Sequence, residues 1–193
     1  MKTVLVNLSN RHIHLTDADV EALFGTGHTL TSKVDLLQPG AFAAEETVTI
    51  TGPMSSIDCV RVVGPTRPET QCEIVAGDTY KLGYKSNDVP VRLSGDLSES
   101  ASFTITGPAG SIEKSVGLMI AQRHIHMSPA DALTYGTHDG QSVTIAGVTP
   151  NRRTTYSDVI IRVQRNATLE CHIDIEEGNA AGIRNGDEVE VLL

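Results

Sequence analysis

The tetrapeptide Arg-His-Ile-His occurs twice in this chain, at residues 11–14 and again at residues 123–126. Four of the seven histidines therefore belong to one repeated motif. In a β-strand, side chains two residues apart point to the same face, so each His-x-His presents two imidazoles to one place. Imidazole is the commonest protein ligand for transition metals, and the repetition predicts metal binding.

The sequence after each motif is also repeated, at an offset of 112 residues from His12 to His124. Each copy leads into residues that cap a short helix and then into a glycine where such a helix ends. We therefore expect each His-x-His to end a strand just before a short helix, marked by Thr16 and Gly25 after the first copy and by Ser128, Pro129 and Gly136 after the second.

A second duplication supplies a third ligand for each histidine pair. Residues 70–74 align with residues 169–173 at an offset of 99, which places Cys72 on Cys171 and Glu73 on His172. Three protein ligands with an open position are typical of catalytic zinc. The predicted sets are His12, His14 and Glu73 in the first half and His124, His126 and His172 in the second. Two alternatives stay open: Glu73 and His172 as solvated strand residues, and one metal site instead of two.

Composition predicts a mainly β fold. Val, Ile and Thr are abundant, aromatic residues make up 4% of the 193 residues, and Gly and Pro recur at short intervals. Together with the duplication, this predicts two small β-barrel domains with short α-helices. A repeated Thr-Ile-Thr-Gly-Pro hairpin at residues 49–53 and 104–108 suggests a boundary near Gly95, giving modules 1–95 and 96–193.

Charge and hydropathy exclude several classes of function. The net charge of −9 argues against nucleic-acid binding, because phosphate backbones require basic surfaces. No apolar stretch approaches the ~20 residues of a membrane span, so no membrane association is expected. The three cysteines lack Cys-x-x-Cys spacing, so neither a disulfide frame nor a thiolate zinc site is indicated. Cys72 and Cys171 are expected to be buried strand residues, with a role as nucleophiles as the alternative.

Blocks along nearly the whole chain resemble the PduL-type phosphate acyltransferases, a family also called phosphotransacylase or phosphate propanoyltransferase. The resemblance rests on the motifs around both His-x-His copies and on the segments at residues 38–46, 64–73, 94–96 and 172–174. It implies two β-barrel domains with a dinuclear zinc site at their junction, and reversible transfer of a propanoyl or acetyl group between coenzyme A and phosphate.

The resemblance also implies roles for individual residues. His12, His14 and Glu73 match the ligands of one zinc ion, and His124, His126 and His172 match those of the other, in agreement with the duplication. Arg67 matches the arginine that positions phosphate. The loop that borders the coenzyme A site is expected to include Gln38, Pro39, Gly40 and Phe42.

Our mechanistic hypothesis is direct attack by phosphate on the thioester, without an acyl-enzyme. The first-half zinc would meet the coenzyme A sulfur, and the second-half zinc, with Arg67, would present phosphate. Arg11 and Arg123, which precede the two motifs, either serve phosphate groups or pair with carboxylates. A dinuclear zinc hydrolase and a non-catalytic metal-binding double barrel are the competing hypotheses.

The chain is expected to act in the cytoplasm, with the lumen of a bacterial microcompartment as the alternative. Only three residues precede the first predicted strand, whereas microcompartment members of the family can carry an N-terminal extension. Acyl preference, homo-oligomer formation, shell association and the physiological metal stay open at this point, since imidazole and carboxylate also accept other divalent metals.

Overall fold

The computed structural model describes residues 2–85, 87–147, 149 and 152–193. These residues form fourteen strands and four short helices, in the order β1 (Thr3–Ser9), β2 (His12–His14), α1 (Asp17–Phe24), β3 (Ser32–Asp35), β4 (Phe42–Thr51), β5 (Ser56–Gly64), β6 (Gln71–Ile74), α2 (Ala76–Leu82), β7 (Val91–Arg92), β8 (Ala101–Thr106), β9 (Ser111–Ala121), β10 (His124–Met127), α3 (Pro129–Tyr135), β11 (Ser142–Gly147), β12 (Thr155–Val163), β13 (Glu170–Asp174), α4 (Ile175–Ala181) and β14 (Glu188–Leu192).

The chain divides into two compact units. The central unit is Arg11–Ala121, and the terminal unit combines the N-terminal segment up to Asn10 with Gln122–Leu193. In the central unit, pairings of β4 with β5, β5 with β2, β2 with β6, β6 with β9, β9 with β8 and β8 with β4 close a six-stranded barrel. β3 and β7 extend its sheet outside the ring.

The terminal unit is a second closed barrel, with strands in the order β1-β13-β10-β12-β11-β14. Its core has the same construction as that of the central unit, with Ile125 and Cys171 occupying the places of Ile13 and Cys72. All four side chains are completely buried. Because histidines alternate with these core residues, the imidazoles lie on the face away from the hydrophobic core. A fully buried Ile stabilises such a core by ~1.5–3 kcal/mol.

The registers show that the two barrels are copies. Ile13 pairs with Cys72 on β6, and Ile125 pairs with Cys171 on β13. β9 runs parallel to β6 with Leu118 beside Cys72, and β1 runs parallel to β13 with Val6 beside Cys171. The strand that precedes each His-x-His in sequence therefore belongs to the other unit's barrel.

This exchange of strands explains why the predicted boundary near Gly95 differs from the observed division. β8 and β9, assigned by the sequence to the module 96–193, pair with β4 and β6 in the central unit. β1, assigned to the module 1–95, pairs with β13 and β14 in the terminal unit. A sequence repeat that begins with a strand does not show which barrel receives that strand.

The predicted helix after each histidine motif is confirmed. Thr16 caps the N-terminus of α1 by accepting from the backbone N–H of Asp19, and Ser128 caps α3 by accepting from that of Asp131. Gly25 and Gly136 follow the last helical residues. None of the helices formed by the described residues is long and apolar enough to span a membrane.

Candidate metal centres

The central cluster brings together His12, His14 and Glu73, as the sequence predicts. β2 carries the two histidines, and its antiparallel pairing with β6 sets Glu73 directly opposite His12. Each residue has a potential ligand atom, and these atoms all lie within 4.8 Å of one another. Nε2 of His12 and Oε2 of Glu73 are 3.6 Å apart. Three donors this close form a ready set for one metal ion.

The surroundings of His14 favour a neutral imidazole. Its Nδ1 donates to the carbonyl oxygen of Val63 at 3.0 Å, which leaves the lone pair on Nε2. Burial, followed by the charges of His12 and Arg67, lowers the pKa of His14 to about 3. A metal ion binds the unprotonated imidazole, so the fold holds this side chain in the form that coordinates.

The terminal cluster brings together His124, His126 and His172. Register pairing sets His124 opposite His172, and the ring centroids of the three side chains lie 4.7–5.1 Å apart. Nδ1 of His124 donates to the carbonyl oxygen of Gln122 at 2.8 Å, and its Nε2 lies 3.1 Å from Nε2 of His126. The potential ligand atoms again all lie within 4.8 Å of one another.

The electrostatics of the terminal cluster also favour neutral imidazoles. Burial and the neighbouring histidines lower the pKa of His124 to about 3, and burial, His172 and Arg162 lower that of His126 to about 4. Among the described residues, Nδ1 of His126 and Nε2 of His172 are buried atoms without a hydrogen-bond partner. Buried polar atoms are normally satisfied, so unpaired ring nitrogens in this cluster are consistent with a site that binds an ion.

Arg67 belongs to a hydrogen-bond network that reaches the central cluster. Its backbone N–H donates to the carbonyl oxygen of Leu15, just after β2, and its Nη1 donates to Oγ of Ser94 at 3.0 Å. The same Oγ accepts from Nε2 of Gln71 at 2.7 Å, and this Nε2 also donates to Oε1 of Glu73 at 2.6 Å. The guanidinium is thus fixed relative to a predicted metal ligand in the same unit.

The loop predicted to border coenzyme A connects β3 to β4. Within it, the backbone N–H of Ala41 donates to the carbonyl oxygen of Gln38, while Pro39 and Gly40 are exposed. Phe42 pairs with Gly64 at the end of β5. A Cβ at Gly64 would lie 2.2 Å from Cζ of Phe42, so the glycine makes room for the ring. Phe42 therefore packs against the start of the segment that carries Arg67.

The arginines before the two motifs pair with carboxylates. Arg11 donates from Nε and Nη2 to both carboxylate oxygens of Asp78, at 2.7 and 2.9 Å. Arg123 forms the equivalent pair with Glu177, whose pKa is nevertheless raised, first of all by burial. Asp78 and Glu177 lie in the first turns of α2 and α4. Of the two alternatives for these arginines, the structure therefore contains the carboxylate pair.

Two cysteines accompany the clusters but lie in the cores. Cys72 and Cys171 are completely buried, and burial is the main cause that raises the pKa of each thiol. The prediction of buried strand cysteines is confirmed for these two positions. Cys59 is exposed on β5.

The sequence motifs did not identify Gln71, Ser94, Glu170 or Arg162 as parts of the two sites. Gln71 and Glu170 lie two residues before the third ligand on β6 and β13, so strand alternation alone places them on the ligand face. Arg162 pairs in register with His126 across β12 and β10. Once the strand pairing is known, residues that pair with a predicted ligand, or that lie two positions from it on the same strand, can be recognised as neighbours of the site.

Comparison with known proteins assigns the chain to a family. The family model for phosphate propanoyltransferase matches residues 5–184. The chain belongs to the phosphate propanoyltransferase family. This is an enzyme family, and the resemblance found in the sequence is confirmed.

Several named members of the phosphate propanoyltransferase family are similar over nearly their whole length. The phosphate propanoyltransferase of Priestia megaterium is 52% identical over 185 residues, covering 96% of this chain and 83% of the relative. That of Thermotoga maritima is 47% identical over 189 residues, covering 98% and 89%. That of Salmonella typhimurium is 42% identical over 184 residues, covering 95% and 86%.

Proposed function

We propose that the chain transfers a propanoyl or acetyl group reversibly between coenzyme A and inorganic phosphate, with two zinc ions as cofactors (acyl-CoA + phosphate = acyl phosphate + CoA). The observation that supports this most is the pair of three-donor clusters at equivalent registers, one of them linked to Arg67. Membership of the phosphate propanoyltransferase family supports the same reaction.

The donor sets fit zinc. His12, His14 and Glu73 would hold one ion, and His124, His126 and His172 the other. Imidazole and carboxylate are suitable zinc ligands, and sets of three leave a position for substrate. When bound, zinc supplies a Lewis acid that polarises a thioester carbonyl and has affinity for a thiolate sulfur. Which cluster faces the sulfur and which faces phosphate, and the position of both at a domain junction, stay predictions.

Arg67 is proposed to bind the attacking phosphate. A guanidinium offers a planar fork that matches two phosphate oxygens, and its charge offsets that of the nucleophile. Because Ser94 already holds Nη1 of Arg67, the side chain loses little conformational entropy when phosphate binds. By holding a phosphate oxygen close to the carbonyl carbon, Arg67 would increase the rate of the attack.

The proposed chemical step is direct. A phosphate oxygen attacks the thioester carbonyl carbon, the carbon–sulfur bond breaks, and coenzyme A leaves as a thiolate that later takes up a proton. The thiols of Cys72 and Cys171 are buried and have raised pKa values, which disfavours them as nucleophiles. Retention of a radiolabelled acyl group on protein denatured after incubation with acyl-CoA alone would contradict the direct route.

The loop with Gln38, Pro39, Gly40 and Phe42 is proposed to border coenzyme A. Packing of Phe42 on Gly64 supports this, because it joins the loop to the segment that leads to Arg67. One methylene separates the two acyl groups and changes pocket discrimination by only ~1–3 kcal/mol. Measured kcat/KM for propanoyl-CoA and acetyl-CoA will rank the two substrates.

The decisive experiment measures coenzyme A release, as free thiol, with and without phosphate, before and after chelation and zinc addition. Phosphate-dependent, chelator-sensitive release that yields acyl phosphate is expected. Release that does not require phosphate would indicate a metallohydrolase instead. No release from either thioester would leave a non-catalytic metal-binding protein.

Arg67→Ala tests the role of the guanidinium. We expect loss of phosphate-dependent turnover by a factor on the order of 100 or more, as for removal of other groups that stabilise developing charge. Arg92→Ala is the matched control, since Arg92 lies in the same unit and binds Ser98 and Glu99 instead of the cluster network. Equal activity of the two variants at low phosphate would contradict the assignment.

A further inference from the structure

A buried carboxylate lies beside the third ligand of the terminal cluster. Glu170 precedes His172 by two residues on β13, so both side chains lie on the ligand face. Glu170 is only 2% exposed. Its Oε2 lies 2.9 Å from Nε2 of His172, in a close contact without hydrogen-bond alignment, and its Oε1 accepts from Nδ2 of Asn7 at 2.8 Å. A carboxylate is costly to bury unless such contacts compensate it.

The equivalent pair in the central unit has the opposite polarity. Gln71 occupies the position of Glu170, and Glu73 that of His172, in the same register with β2 and β10. There the amide Nε2 of Gln71 donates to the carboxylate of Glu73 at 2.6 Å. A carboxylate ligand is thus accompanied by a donor, and an imidazole ligand by an acceptor. Gln71→Glu alone would place two carboxylates side by side, and Glu170→Gln alone would give the imidazole a neutral amide in place of a charged acceptor.

We propose that Glu170 is a positioning residue for metal binding, acting through His172 and held in place by Asn7. The inference rests on the proposed zinc function and deepens it. A carboxylate that holds one ring nitrogen of a ligating histidine fixes the orientation of the ring and increases the basicity of the other nitrogen, which strengthens its bond to the metal. Because Glu170 lies against Nε2 of His172, Nδ1 is the ring nitrogen that the proposal assigns to the metal. Asn7 pairs in register with His172, so β1 fixes the carboxylate from the strand next to the ligand.

The competing explanation is purely structural: Glu170 would serve only to join β1 to β13 through Asn7. Glu170→Gln separates the two roles, because it keeps the shape of the side chain and removes the charge. We expect the zinc affinity of one of the two sites to fall by about 10–100-fold, which is the range for residues that support a ligating histidine. The affinity of the other site should stay unchanged. Competition with a chromophoric chelator measures both affinities.

Glu188→Gln is the control, because it removes a carboxylate from an exposed position of the same unit. Unchanged affinity at both sites of Glu170→Gln would overturn the inference. If the wild-type protein itself fails to bind two zinc ions per chain, the proposed function fails instead, so the two failures are distinguishable.

A transplant tests the inference in the gaining direction and does not depend on the folding of Glu170→Gln. Glu73→His turns the central cluster into three histidines that still have Gln71 beside the third. Adding Gln71→Glu recreates the terminal pair. We expect the double variant to bind zinc at the central site at least about 10-fold more tightly than Glu73→His alone. Equal or weaker binding by the double variant would show that the carboxylate does not act through the histidine.

Discussion

The central and terminal clusters have the same backbone framework and different surroundings. In both, the first histidine pairs with the third ligand, and the second histidine pairs with the residue two positions before that ligand. Neighbouring strands then contribute different side chains at equivalent registers. Arg61 and Glu73 flank His12 where Ile160 and His172 flank His124. Met119 lies beside Glu73 where Asn7 lies beside His172. Gln71 lies beside His14 where Arg162 and Glu170 lie beside His126.

This difference shows that the duplicated backbone fixes the position of the donors. The side chains within and beside each cluster determine the charge of the cluster. In the central cluster the carboxylate of Glu73 is itself a predicted ligand, and Arg61 donates to the carbonyl oxygens of Ala44 and Glu45 at 2.9 and 2.8 Å. In the terminal cluster the three predicted ligands are imidazoles, and Glu170 and Arg162 lie beside them. Two chemically distinct centres therefore arise from one repeated fold.

The largest expected effect is loss of a ligand from either cluster. Glu73→Gln and His172→Gln should each reduce zinc content from two ions per chain to one. Both should lower phosphate-dependent coenzyme A release by about 100-fold or more, because the proposed reaction uses both metals. Loss of a ligand should cost more than the ~10–100-fold that follows loss of a residue that supports a ligand. Metal analysis after dialysis and the thiol assay measure the two effects.

His138→Gln controls for loss of a histidine, since His138 is exposed and lies outside both clusters. The expectation that both clusters are needed for activity is wrong if one ligand variant loses zinc but keeps full activity. That cluster would then serve the stability of its barrel, and the chemistry would belong to the other.

The next largest effect is the pH dependence of the free energy of unfolding of the metal-free protein, to which both units contribute. Burial lowers the pKa of His14 and of His124 to about 3, whereas an unfolded histidine has a pKa of ~6.5. Between these values the unfolded state binds more protons, so stability is complete above pH ~6.5 and decreases as pH falls towards 3. At pH 5 we expect a loss of about 1–2 kcal/mol for each histidine.

Urea unfolding of the metal-free protein at pH 7.5 and pH 5 measures this loss. Replacement of His14 by Gln should reduce it by the contribution of one histidine, and His124→Gln should do the same in the terminal unit. The same free energy of unfolding at both pH values would show that these histidines are not held neutral by burial.

Much of both clusters was predictable because it depends on local periodicity. Alternation in a strand places His12 with His14 and His124 with His126, and capping residues after each pair mark the following helices. The offset of 99 residues then identified Glu73 and His172, since duplicated strands pair in duplicated registers.

What the sequence did not show depends on pairing between distant strands. Asn7 meets Glu170 because β1 closes the terminal barrel, and the repeat alone does not determine which barrel receives this strand. Arg162 reaches the terminal cluster only through the pairing of β12 with β10. Likewise, Ser94 is distant in sequence from both Arg67 and Gln71 and joins them through the fold.

The smallest predicted effect concerns Gly64, whose equivalent in the terminal unit, at the same offset of 99, is Val163. A side chain is thus accepted in one barrel, whereas in the other a Cβ would lie 2.2 Å from the ring of Phe42. Gly64→Ala should destabilise the protein by about 1–3 kcal/mol through this overpacking, measured by urea unfolding. In a double-mutant cycle with Phe42→Ala, the cost of Gly64→Ala should largely disappear, because the ring that it meets is gone. An undiminished cost in the Phe42→Ala background would assign the requirement for glycine to the backbone instead of the ring.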